Sequence, residues 1–147
     1  MKRPQYDLIP IDDLKENINQ IFQSHSEIVV AYLYGSYAQG YQTKFSDIDI
    51  GVLLEEDFQE PSLYFAQLGS EIEKAFKYRI NVDLKILNEK PPRFLFQVIK
   101  HGILIYCKDS TVKDEFEIKV ITQYLDIKPL LNHFDNLFLR EVHEDER

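Results

Sequence analysis

The sequence has few of the residues that secreted and membrane proteins depend on. Its 147 residues include one cysteine, no tryptophan, five glycines and six prolines. The single cysteine, Cys107, excludes an internal disulfide, and we expect it to be a small buried side chain. No apolar run is long enough to cross a bilayer, and no apolar signal segment follows the first residues. These absences predict a folded, cytoplasmic protein that contacts no membrane.

Positive charge is also scarce. The chain has 17 lysines and arginines against 25 aspartates and glutamates, a formal net charge of -8. A protein that binds the phosphate backbone of a nucleic acid gathers Lys and Arg on one surface, so we expect no direct nucleic-acid partner. With 44% hydrophobic residues, the chain can bury a core, and its length predicts a single domain over residues 1–147. No second domain remains to hold a small substrate.

Hydrophobic periodicity predicts an α/β order in which helices alternate with strands. Apolar residues at helical spacing predict helices over residues 11–22, 62–77 and 91–100. Apolar or alternating segments predict strands over residues 28–34, 47–54 and 80–86, and a short edge strand over 103–106. The core should therefore span about residues 11–107. C-terminal helices should follow over about 110–140, and Pro129 should break or kink that stretch.

The most informative segment is a turn directly after the first predicted strand. It begins with Gly35 and Ser36 and is long enough for one or two turns of helix over residues 36–41. Glycine would let the backbone approach the outer phosphates of a nucleotide, and the Ser36 hydroxyl and the N–H groups after it would donate hydrogen bonds to them. A simple strand-to-helix turn with Ser36 as its N-cap is the alternative.

Three aspartates are candidates for metal ligands and for catalysis. Asp47 and Asp49 share one face of the second predicted strand, and two aspartates make that face unsuitable for a core. If Asp83 lies on the neighbouring strand with the same orientation, the three carboxylates can hold two Mg²⁺ ions about 4 Å apart. In-line attack on the α-phosphate of a nucleotide would follow, with Asp83 able to take the proton of the attacking hydroxyl. An isolated surface aspartate is the alternative for Asp83.

Two lysines near these carboxylates have open roles. Lys44 lies three residues before Asp47, close enough to contact a phosphate, although a solvated loop lysine would look the same. Lys85 lies two positions beyond Asp83 on the same strand face. It either pairs with a carboxylate or touches the nucleotide.

The pattern Gly35-Ser36, ten residues, then Asp47-Ile48-Asp49 resembles the signature of the polymerase-β-like nucleotidyltransferases. The resemblance implies their fold, a small mixed sheet flanked by helices with a C-terminal helical segment. The short chain is similar to the minimal nucleotidyltransferases that act as antitoxins in HEPN/MNT toxin-antitoxin systems. That likeness implies Mg²⁺-dependent transfer of AMP from ATP to a hydroxyl, a tyrosine, of a HEPN ribonuclease toxin. Many relatives carry basic residues in the turn where this chain has Tyr37 and Gln39.

Two other functions fit the same residues. One is a small-molecule adenylyltransferase that resembles the aminoglycoside-modifying enzymes, although those usually carry an extra helical region. The other is a non-catalytic antitoxin that neutralises its toxin by binding, with Phe134 and Phe138 as apolar anchors. The sequence leaves open the acceptor residue, the number of AMP units, the nucleotide preference and the oligomeric state, a homo-oligomer included.

Overall fold

In the part of the chain that the structure describes, short apolar segments and amphipathic segments alternate and form four strands and five helices. The computed structural model describes residues 8–43 and 46–145. In chain order the elements are α1 (Ile11–Gln23), β1 (Ile28–Tyr34), α2 (Gly35–Gln39), β2 (Ile48–Leu54), α3 (Tyr64–Ala75), β3 (Val82–Ile86), α4 (Pro92–His101), β4 (Ile103–Cys107) and α5 (Ser110–Asp145).

The strands form one mixed sheet in the order β3-β2-β1-β4. The central strand β1 pairs antiparallel with both β2 and β4, whereas β2 and β3 run parallel. A parallel pair needs a crossover connection, and α3 provides it. The predicted α/β class and mixed sheet are therefore confirmed, as is the position of β4 at an edge.

One face of the sheet carries the larger part of the core. On β2, Ile48 and Ile50 are completely buried on this face. They pack in one cluster with side chains of α1, α3, β1 and β4: Leu14, Ile18, Phe22, Leu68, Ile72, Ala31, Leu33 and Ile105. This packing fixes which way β2 is turned and sends the side chain of Asp49 to the opposite face.

The opposite face is only partly covered. Leu53 at the far end of β2 packs with side chains of β1, α4 and α5: Val30, Tyr32, Leu95, Val98 and Val120. Asp49, at the near end of the same face, remains only half-buried. The face predicted to lie outside the core therefore does so at its aspartate end alone.

Two expectations for the C-terminal part are wrong: a break in the helix at Pro129 and a buried Cys107. The region from Ser110 to Asp145 is one helix that continues through Pro129. Proline removes the bond to the carbonyl four residues earlier, here Leu125, but both residues are exposed, so water can satisfy that carbonyl. Cys107 is exposed rather than buried, because it is the last residue of the edge strand β4.

Within the described residues, no helix combines the length and the apolar character needed to span a membrane.

Candidate active site

The site is built on a row of three residues that crosses the sheet. Tyr34 of β1 is the cross-strand partner of Asp49 on β2, and Asp49 is the partner of Asp83 on β3. Partners in a sheet share a face, and neighbouring strands lie about 4.8 Å apart. The structure therefore places Asp49 and Asp83 side by side, as the sequence-based prediction required.

Asp47 completes the acidic group from the loop that enters β2. It is exposed, and it lies two residues before Asp49 and so at the same side of the chain. In this loop the N–H of Thr43 donates to the Ser46 hydroxyl oxygen at 2.9 Å. Lys44, the predicted phosphate contact, falls outside the described residues.

Gly35 brings the turn into direct contact with Asp49. Its φ is +72°, and a Cβ atom added there would collide with the Oδ2 atom of Asp49. Only glycine fits both the backbone conformation and the space. The helix α2 then runs for five residues and ends at Gly40, which also has a positive φ.

Ser36 lies in the first turn of α2 and is half-exposed. The N-cap position belongs to Tyr34, and no side chain caps the helix, so the alternative role of Ser36 as an N-cap is wrong. The carbonyl of Ser36 accepts the N–H of Tyr41 at 2.9 Å.

The surroundings of Asp49 raise its proton affinity. Burial raises the pKa of Asp49, and the negative charges of Asp83 and Asp47 raise it further, while the positive charge of Lys85 opposes them. A half-buried carboxylate beside two others is therefore under electrostatic strain. A bound cation would relieve it.

Lys85 already occupies part of this acidic site. Its ammonium group lies 3.1 Å from the Oδ2 atom of Asp83. Burial is the largest single influence and lowers the pKa of Lys85, but the interactions with Asp83 and with Tyr34 together outweigh it, and the pKa is raised. Of the two roles left open for Lys85, the structure shows the pairing with a carboxylate.

Two aromatic side chains that the sequence did not single out as site residues flank this lysine. The Lys85 nitrogen lies 5.9 Å from the ring centre of Tyr34 and 6.0 Å from that of Phe94 on α4. The two rings meet edge to face at 5.7 Å. Tyr34 lies one residue before Gly35, but its position in the site becomes clear only when the register that pairs it with Asp49 is known. Nothing in the sequence brings Phe94 to this place.

The donor set suits magnesium held together with substrate phosphates. Mg²⁺ takes oxygen ligands and is usually bound by one or two carboxylates plus phosphate oxygens. Asp49 and Asp83 supply adjacent carboxylates. Because Gly35 has no side chain, its backbone lies directly beside the carboxylate of Asp49. Across residues 8–43 and 46–145, no three His, Cys, Asp or Glu side chains surround a common metal position. Within these residues, a metal site completed by protein side chains alone is therefore absent.

A glycine turn beside paired carboxylates on a mixed sheet is the arrangement expected of a nucleotidyl-transfer site. The family model of polymerase beta, nucleotidyltransferase, matches residues 16–111, from within α1 to the start of α5. This protein belongs to that family. Comparison with curated protein sequences finds no match.

Solved structures with the same fold include components of toxin-antitoxin systems. A chain from a toxin-antitoxin complex with AMP-PNP aligns with a TM-score of 0.72 at 23% identity, over 85% of this chain and 98% of that one. A chain from the complex of tri-AMPylated Shewanella oneidensis HEPN toxin with MNT antitoxin aligns at 0.65 and 21% identity, over 86% and 98%. A minimal nucleotidyltransferase aligns at 0.52 and 26% identity, over 63% and 90%. The predicted polymerase-β-like fold is thereby confirmed.

We expect Asp49→Asn to stabilise the fold at neutral pH. A carboxyl group whose pKa is raised by folding supports the folded state below its unfolded pKa, and that support is lost as the pH rises through the folded pKa. At pH 7 the ionised Asp49 therefore opposes folding, and the amide removes that cost. With allowance for solvent screening, the melting temperature should rise by about 1–3 °C.

Thermal unfolding followed by circular dichroism measures this difference. The advantage of Asp49→Asn should shrink as the pH falls toward 4 and as salt is added. Asp47→Asn, at an exposed carboxylate two residues away, is the matched control and should gain less. An unchanged or lower melting temperature for Asp49→Asn at pH 7 would contradict the electrostatic account.

Alanine at Gly35 and at Gly40 should separate steric contact from backbone strain. Their φ angles are similar, +72° and +79°, so the backbone strain of either substitution should by itself lower the free energy of unfolding by about 1–2 kcal/mol. Only at Gly35 would the new Cβ meet Asp49, since nothing lies within 4 Å of it at Gly40. Nucleotidyl transfer should fall about 100-fold in Gly35→Ala and far less in Gly40→Ala. Equal losses would show that strain alone matters.

Proposed function

We propose that this protein transfers AMP from ATP to a hydroxyl group of a partner HEPN ribonuclease toxin and thereby acts as its antitoxin. The observation that carries the proposal is the pairing of Asp49 with Asp83 next to the turn at Gly35. Membership of the nucleotidyltransferase family supports the reaction class. The toxin complexes among the structural neighbours support the partner.

Each residue of the site has a proposed part in the transfer. The Gly35 backbone and the Ser36 hydroxyl hold the outer phosphates, with Lys44 as a further contact. Asp47, Asp49 and Asp83 supply carboxylate oxygens for one or two magnesium ions. Bound magnesium neutralises charge at the α-phosphate and favours the ionised acceptor.

The transfer itself is an exchange of oxygen ligands at the α-phosphorus. The acceptor oxygen attacks that phosphorus and forms a new P–O bond, while the bond to the bridging oxygen of the β-phosphate breaks and pyrophosphate leaves. Asp83 is placed to take the acceptor's proton because its side chain is 48% exposed at the open edge of the sheet. A toxin tyrosine is the proposed acceptor.

The charge around β3 supports a basic acceptor over a nucleic acid. A groove of about 780 Å³ runs beside this strand, and Asp83 and Lys85 line it together with acidic side chains: Glu55, Glu56, Glu60 and Glu89. Negative walls repel a phosphate backbone and attract lysine and arginine. We place the reaction in the cytoplasm, where a ribonuclease meets its substrates.

Incubation with ATP, Mg²⁺ and the product of the adjacent gene, the proposed toxin, should increase the intact mass of that product by whole AMP units. Asp49→Asn and Asp83→Asn should each slow the addition about 1,000-fold or more, since each removes a charge from the reacting centre. Mass spectrometry of the toxin, with peptide mapping to tyrosine, measures both. A toxin that remains unmodified by the wild-type protein would contradict the proposal.

The remaining outcomes identify the two alternative functions. If Asp49→Asn protects cells as well as wild type and no adduct forms, the protein acts by binding, and the exposed Phe134 and Phe138 of α5 are the first candidates for its contacts. If AMP is transferred to a purified aminoglycoside instead, the acidic groove serves a small polycation.

A further inference from the structure

We propose that Lys85 is a movable cation of the site, which neutralises Asp83 in the nucleotide-free protein and passes to the triphosphate when nucleotide and metal bind. This inference rests on the proposed function, because it assigns the positively charged contact to the nucleotide that the turn itself lacks. In the turn from Gly35 to Thr43 there is no lysine or arginine. Lys85 is the cation that the structure places against the carboxylates.

The position of Lys85 follows from the register of the sheet. It is the cross-strand partner of Gly51, in the row next to that of Asp49 and Asp83 and on the same face. Gly51 presents no side chain of its own to Lys85, and the Leu87 side chain fills the place that a Cβ atom would take there. The lysine is 37% exposed, so its chain can turn toward bound ligand.

The present contacts of Lys85 hold it weakly. The pair with Asp83 is exposed to solvent, where ion pairs contribute little. The two aromatic rings lie at the outer limit of cation–π attraction, near 6 Å. An ammonium group held this way can be displaced by a ligand of higher charge.

Metal binding gives the reason for displacement. The Oδ2 atom of Asp83 is bonded to the Lys85 ammonium, and a divalent ion at the same carboxylate would repel that ammonium strongly at such short range. The bound triphosphate then offers the nearest uncompensated negative charge. The buried Tyr34 hydroxyl lies close enough to the Lys85 ammonium to contribute to the raised pKa of the lysine, so it is an acceptor beside the path of the ammonium.

Lys85→Met tests this because it keeps the stem and removes the charge. Mn²⁺ alone should bind the variant about 3–10-fold more tightly, since its competitor for Asp83 is gone. Adenosine 5′-(α,β-methylene)triphosphate with Mg²⁺ should bind about 10-fold more weakly, since a phosphate contact is lost. Lys85→Arg should keep the nucleotide affinity within about threefold. Isothermal titration calorimetry and Mn²⁺ paramagnetic resonance measure these values.

Controls distinguish this role from a structural one. Lys108→Met removes another exposed lysine that pairs with a glutamate, Glu55 at 3.2 Å, and it should change neither affinity. In an Asp83→Asn background the effect of Lys85→Met on Mn²⁺ should vanish, because the two residues act as a pair. Opposite shifts for metal and nucleotide are not produced by partial unfolding, which would weaken both.

The binding measurements need no toxin, so they fail separately from the proposed acceptor. If Lys85→Met binds both Mn²⁺ and the nucleotide analogue as wild type does, Lys85 is only a surface ion pair and the inference is overturned. If the expected opposite shifts appear but no toxin is modified, the role of Lys85 stands and the proposed AMP transfer to a toxin is rejected.

Discussion

The parallel pairing of β2 with β3 is the interaction on which the site depends. Its register is set at both ends by short backbone hydrogen bonds: the N–H of Ile48 donates to the carbonyl of Asn81, and the N–H of Leu87 donates to that of Val52, both at 2.8 Å. A slip of one residue would turn Asp83 to the other face and leave Asp49 without its partner. The packing of α3 against β3 is therefore a condition for the chemistry, although α3 contributes no residue to the described carboxylate row.

The same pairing brings negative charges together at a half-buried position, where they destabilise the fold. Asp49 is half-buried next to Asp83, and its raised pKa records that cost. The neighbouring side chains Ile48 and Ile50, completely buried on the other face, provide apolar burial that offsets it. Core and site thus alternate residue by residue along one strand. The lysine of the next row reduces the charge by pairing with Asp83.

Local patterns in the sequence predicted the elements well, because burial on one face leaves a period of two or 3.6 residues. The strand over residues 28–34 and the buried face of β2 are examples. Pro129 and Cys107 were misjudged, because their outcome depends on exposure to solvent and on the edge of a sheet. The adjacency of Asp49 and Asp83 was a conditional prediction that needed the strand order. Tyr34 and Phe94 could not be assigned, since their roles arise from a register and from the docking of α4.

Asp83 and Lys85 lie at a boundary between two halves of the site, which favour ligands of opposite charge. On one side lies the glycine turn, which the proposed function assigns to the phosphates, and on the other the groove beside β3 presents glutamates. Because β3 is an edge strand, this side is the open one, and an acceptor can approach the carboxylates along it. A triphosphate would be repelled from the groove, so charge alone separates the two substrates. Because the Asp83–Lys85 pair lies between both halves, the proposed binding of one substrate would affect the binding of the other through this pair.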